Sequence, residues 1–207
     1  MSPRTEHTAN RGGADSEIQA HPTGPRSRRV HDATLRATRE LLAEGGLAAA
    51  TVDAIAARSG VSKATIYKHW PSRTAVAAEA FGGMMGDALP LPDTGSAVGD
   101  FTAQVRQVSA FYATQPVFAQ LLASCVTDPS GSPYFRKFFL AGRREAIATL
   151  WQRAIDRGEA NPDVDVETAT DLVFGPLIFR LMSGHRPLTP EEADKVTAAA
   201  LGGLLRK

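Results

Sequence analysis

Residues 51 to 70 read TVDAIAARSGVSKATIYKHW, and this run constrains the fold more than any other part of the chain. Two segments, each opened by a hydroxyl residue, lie on either side of a glycine. Thr51 and Ser62 each offer a side-chain oxygen to the unpaired amides of a helix start. Gly60 lets the chain leave the first segment with a positive φ at no steric cost, as a tight turn between two steeply crossing helices requires. Val52, Ile55 and Ala56 on the first segment and Ile66 and Trp70 on the second recur at helical spacing and face inward, while Val61 points back into the junction. The pattern predicts a helix-turn-helix. Its second helix leaves Lys63, Ala64, Thr65, Tyr67, Lys68 and His69 outside, a set of donors, cations and an aromatic hydroxyl with no acid. Such a face suits the DNA major groove, where the first residues of a recognition helix meet base edges and the flanking polar groups hold phosphates. The helix start behind Ser62 also favours a nearby phosphate.

The flanks keep helical spacing. From Val30 onward Leu35, Thr38, Leu41 and Leu42 share one face of a helix that closes at Gly45 and Gly46, a pair suited to the left-handed cap. Pro71 and Ser72 restart the chain into a helix running to about Leu89. Its late Gly82, Gly83 and Gly86 each cost about 1 kcal/mol relative to Ala and leave its end open to kinking. Pro90, Pro92 and Gly95 mark a linker. Five more helices are expected, over about 96–114, 116–127, 132–157, 165–183 and 189–205, separated by Pro- and Gly-rich breaks. Ala is abundant and β-branched residues are sparse, so the expected fold is all-α. It comprises a three-helix DNA-binding domain over 30–75 and a helical-bundle domain over 76–207. Residues 1–29 hold Ile18 as the one large aliphatic side chain after Met1, and a disordered basic tail is expected there. Its closing Arg26, Arg28 and Arg29 suit either a minor-groove arm or a solvated leader.

Charge divides the same way. Residues 1–73 carry eleven Lys and Arg against seven Asp and Glu, a net +4, and the remainder carries twelve against fifteen, a net −3. A basic N-terminal third on a mildly acidic body is the footprint of a small nucleic-acid reader joined to a unit that is not one. Cys125 is the only cysteine, so no intrachain disulfide can form. No run resembles a signal peptide or reaches the roughly 20 apolar residues of a membrane helix, and a cytoplasmic protein with no membrane partner is expected. Phosphate-loop, dinucleotide and zinc-protease motifs do not occur, and the five histidines are scattered. Neither a cofactor, a metal nor an enzymatic activity is expected.

The stretch from Leu35 to Val76 resembles the TetR family of bacterial transcriptional regulators. Thr51-Val52, Ile55-Ala56, Gly60-Val61-Ser62, Thr65-Ile66-Tyr67, Trp70 and Ser72-Arg73 stand where that family's signature puts them, with Trp70 in place of a usual Phe and Arg73 in place of a usual Lys. The resemblance implies that Tyr67, Lys68 and Arg73 hold phosphates while Lys63, Ala64 and Thr65 sit nearest the bases. Thr51, Ser62 and His69 complete the candidate DNA-binding set. His69 reads equally as a phosphate contact or a bystander, and Tyr67 as a contact or as packing. The segment RGEANPDVDVETATDLVFGPLIFRLMSG resembles the C-terminal domain of one subgroup of the same family.

Aromatic residues crowd the middle helices. Core packing is their default role, yet helical bundles also bind small molecules between helices, and the resemblance implies such a pocket. Phe111, Phe118, Phe138 and Trp151 are its apolar candidates, with Gln104, Arg106 and Cys125 as polar points. Two apolar faces remain for a partner chain: Ala169, Leu172, Val173, Pro176, Leu177 and Leu181 on one helix, and Val196, Ala199, Ala200, Gly203 and Leu204 on the next. Paired across a two-fold they would make a four-helix dimer interface. The expected function is a homodimeric, sequence-specific regulator of operator DNA, most simply a repressor released by a small apolar or amphipathic effector. An activator, a co-repressor-dependent regulator, or an all-α ligand-binding protein or enzyme are the alternatives.

Overall fold

The computed structural model describes residues 24–206, and of the tail expected over residues 1–29 the first 23 lie outside them. The described residues run through ten α-helices: α1 Pro25–Ala49, α2 Val52–Ser59, α3 Lys63–His69, α4 Arg73–Ala88, α5 Ala97–Thr114, α6 Val117–Thr127, α7 Ser132–Phe135, α8 Ala141–Asp156, α9 Val166–Ser183 and α10 Pro190–Leu204. Among the described residues the one β-type pairing is an isolated bridge between Ala160 and Leu205. The all-α fold is as expected.

The first helix begins five residues earlier than its apolar pattern does. Pro25 occupies its first turn, where a missing N–H costs nothing, and the Arg28 amide donates to the Gly24 carbonyl at 2.9 Å. Arg26, Arg28 and Arg29 are therefore helical and exposed rather than part of a tail. The helix breaks where the glycine pair predicts. Gly46 takes φ 64° and ψ −157°, and Gln120 of α6 reaches in to accept from the Leu47 amide at 2.9 Å.

The segment expected as one helix over 132–157 is one rod with a wider turn inside it. Between α7 and α8 the residues Arg136–Leu140 form a π-helical turn, and the dihedrals on either side stay right-handed helical. A π turn of this kind is an inserted residue in an otherwise regular helix. It pushes the Phe138 carbonyl against α4 at Gly82, where a Cβ would overlap it. One of the late glycines of α4 thus marks a close helix approach instead of a frayed end.

Helix α4 is the axis of the molecule. Ala75, Val76, Ala77, Ala78, Ala80 and Phe81 are all fully buried. It packs on α1 at one side and on α6, α7 and the π turn at the other. Phe81, Phe118, Tyr112 and Phe139 stack around its middle, with Phe118 to Phe81 at 5.4 Å, Phe118 to Tyr112 at 4.4 Å and Phe118 to Phe139 at 4.7 Å between centroids. Helices α5, α8, α9 and α10 close the other end, and the linker after α4 is tied down by buried Asp100. Its carboxylate accepts from the Thr94 amide at 2.6 Å and from Arg157 at 3.0 Å.

Candidate nucleic-acid interface

The local chemistry read from the sequence is built as expected. Thr51 Oγ1 accepts from the Ala54 amide at 3.1 Å and caps α2, while Ser62 Oγ accepts from the Thr65 amide at 3.2 Å and caps α3. Gly60 ends α2 at φ 70°, and its amide bonds back to the Ala56 carbonyl at 3.0 Å. Ile55, Ile66 and Trp70 are buried to 1% exposure or less and lock the two helices together.

The outer face then follows from helical geometry. Lys63, Ala64, Tyr67 and Lys68 are exposed, Tyr67 to 53%, and Thr65 and His69 are partly so. Arg73, the first residue of α4, is exposed beside them. Tyr67 is thus presented outward rather than packed. Thr51 and Ser62 are spent on capping, and Ser62 Oγ also lies 2.9 Å from Thr65 Oγ1. Lys63 is paired with Asp53 of α2, which raises its pKa, so its ammonium already has a carboxylate partner on this face. Burial lowers the pKa of His69, with the nearby charges of His31 and Lys68 acting in the same direction. A ring so placed favours its neutral form, in which it brings hydrogen-bonding capacity to this face without a charge.

What fixes this face is a cluster that periodicity does not reveal. The Trp70 indole donates to Glu79 Oε2 at 2.6 Å, and His31 Nε2 lies 2.8 Å from Glu79 Oε1. The His31 ring stacks on Trp70 with centroids 5.1 Å apart. The hydrogen bond to Glu79 is the main reason the His31 pKa is raised. One buried carboxylate on α4 therefore holds α1 and the end of α3 together. The signal was present in the sequence as a lone acid inside the apolar run Thr74-Ala75-Val76-Ala77-Ala78-Glu79-Ala80-Phe81.

The head is joined to the body by a few polar contacts. Ser72 caps α4 by accepting from the Ala75 amide at 3.2 Å, and donates to Asp128 at 2.8 Å. Thr74 pairs with Ser124 at 2.8 Å, and the Tyr134 hydroxyl donates to the His69 carbonyl at 3.0 Å.

The candidate ligand residues are dispersed. Gln104, Phe118, Cys125 and Trp151 are buried in the core, and Phe111 and Phe138 are half-buried against it. Arg106 lies on the outer surface, clamped to Asp194 of α10 by two bonds of 2.6 Å. A cavity of about 140 Å³ instead opens between α5, α8 and α9, walled by Val108, Tyr112, Phe139, Ile147, Phe174 and Ile178, and none of the seven candidates lines it. Spacing alone could not separate the stacked core from the cavity wall, because both use the same residue types on the same helices.

Both halves match known protein families. Residues 35–80 match bacterial regulatory proteins of the tetR family, and residues 91–200 match a tetracyclin repressor-like C-terminal domain. YdeS of Bacillus subtilis, an uncharacterized HTH-type transcriptional regulator, is 37% identical over 167 residues, covering 80% of this chain and 84% of its own length. Rv1556 of Mycobacterium tuberculosis, of the same description, is 32% identical over 185 residues, covering 86% and 90%. Among solved structures, the TetR family transcription regulator SCO0332 superposes with a TM-score of 0.76 at 31% identity, covering 84% of this chain and 98% of that one. The flavonoid-responsive regulator FrrA does so with a TM-score of 0.59 at 26% identity, covering 84% and 94%. These relatives are regulators, not enzymes, and among the described residues no helix is long and apolar enough to cross a membrane. The capped helix pair, its acid-poor outer face and these matches together make the chain a DNA-binding transcriptional regulator of the TetR family.

Proposed function

We propose that the chain acts as a homodimeric repressor that leaves its operator when a small apolar or amphipathic ligand fills the α5–α8–α9 cavity. The observation that carries this reading is the continuity of cavity, π turn and reading head. Phe139 and Leu140 wall the cavity, Phe138 of the same π turn rests its carbonyl on Gly82, and α4 runs from there to Arg73 on the DNA face. A ligand that displaces the π turn presses directly on the helix carrying the head. The similar FrrA is itself described as flavonoid-responsive, which supports a small-molecule signal.

Two uncovered faces support the dimer. On α9, Leu172, Phe179 and Met182 are 51%, 65% and 46% exposed and share one stripe with Gly175; on α10, Ala199 and Gly203 lie open beside them. Such a patch, flanked by an α9–α10 pair held by Arg180 and Glu192 at 3.0 Å, suits an isologous contact with a second copy.

A ligand shifts the balance only by its differential affinity for the two states, and moving it from 99:1 to 1:99 needs about 5.5 kcal/mol. The direction of control is tested by deleting the gene and measuring transcripts beside its chromosomal binding sites. They rise if the protein represses, and a uniform fall would make it an activator.

A further inference from the structure

The α5–α8–α9 cavity is lined by an arginine that has no counter-charge among the described residues. Arg143 of α8 lines the α5–α8–α9 cavity and also a second one of about 180 Å³ between α4 and α8, with Phe139 forming the wall common to both. Its Nη2 is buried and has no hydrogen-bond partner among the described residues. Tyr112 lines the same cavity. The neighbouring Arg144 is different: Glu167 pairs with it at the surface and Asp171, on the cavity rim, lies 3.8 Å away. The rim is thus paired, while the half-buried Arg143 guanidinium, which turns one nitrogen into the protein beside Val108, Ile147, Phe174 and Ile178, has no counter-charge among the described residues. Burying an ionised group without a counter-charge is among the most unfavourable arrangements in a protein core. Arginine also keeps its proton under nearly all conditions, so it does not escape the cost by neutralising.

From this we infer that the effector of the proposed ligand response is a small carboxylate, its apolar body against the aliphatic wall and its anion seated on the Arg143 guanidinium beside Tyr112. The inference rests on the reading of this cavity as the effector site. Size narrows the class further. A cavity of about 150 Å³ is enough for one benzene ring, so about 140 Å³ fits a ring-sized or short branched body and not a long acyl chain. The guanidinium fork matches a carboxylate bidentately, which an uncharged amide cannot reproduce.

The test is calorimetry on the full chain with benzoate and phenylacetate, their amides, and palmitate, using wild type, Arg143→Met and Arg144→Met. The ring carboxylates are expected to bind at least tenfold more tightly than their amides and than palmitate. That preference should disappear in Arg143→Met and survive in Arg144→Met. Thermal unfolding gives a second readout, since Arg143→Met removes the unpaired charge while keeping a similar stem, and its ligand-free Tm is expected to rise. The inference is overturned if amides bind as well as acids, if Arg143→Met keeps the preference, if no ring carboxylate binds at millimolar concentration, or if the Arg143→Met Tm falls. Amides that bind and release operator would leave the effector site standing and remove only its anionic selectivity.

Discussion

Asp128 shows how much one side chain does at the joint between head and body. It accepts from Ser72 at 2.8 Å and from the Ser130 hydroxyl at 2.6 Å. Burial pushes its pKa up, but hydrogen bonds from Ser130, Ser72 and Thr74 outweigh that and hold it at about 2. A carboxylate with a depressed folded pKa contributes stability that is present above its unfolded value and is lost as pH falls through the folded one. Asp128→Asn is therefore expected to cost about 1 kcal/mol at pH 7, discounted for partial exposure. In denaturant titrations the gap to wild type should close between about pH 4 and pH 2; a gap independent of pH would show that the charge is not what stabilises the joint. Cys125 gives a simpler expectation. Burial first, and Asp128 second, push its thiol up to about 11, so at pH 8 it should react with iodoacetamide far more slowly than a free thiol until the protein unfolds.

At the level of elements, the recognition helix was legible because every one of its constraints is local. Caps at Thr51 and Ser62, the φ of Gly60 and the inward Ile66 and Trp70 all act within a few residues. The π turn and the role of Gly82 were not legible, since they depend on which carbonyl of one helix meets which glycine of another. The same limit applies to α9. Nearly every side of it is apolar, so its sequence does not say which side faces its own chain. Ala169, Val173 and Leu177 turn out to be fully buried within the chain, as is Leu204 of α10, and the open side is Leu172, Phe179 and Met182. Those inward residues, expected at the partner face, pack instead against the chain's own core. Gly82→Ala is expected to force the π turn away from α4 and to lower Tm, and at equal folded fraction to alter operator affinity as well. An unchanged affinity would separate α4 from the ligand signal.

For the whole molecule, the reading head, the cavity and the open α9–α10 face lie on one connected body whose axis is α4. Phe179→Asp with Leu172→Asp should leave helix content intact and yield monomers by sedimentation, with operator binding weakened; a persistent dimer would place the interface elsewhere. The most direct measurement of the central assignment is quantitative footprinting of wild type, Lys68→Ala and Lys63→Ala on chromosomal fragments across a salt series. The wild type is expected to protect a pseudo-palindrome with half-sites about 34 to 36 Å apart or a near multiple. Lys68→Ala should weaken all sites about evenly and reduce the salt slope by about one per lost phosphate contact, whereas Lys63→Ala should relax preference at one or two base pairs. A single asymmetric footprint, or affinity and salt slope unmoved by Lys68→Ala together with Tyr67→Phe, would contradict the placement of DNA on the exposed face of α3.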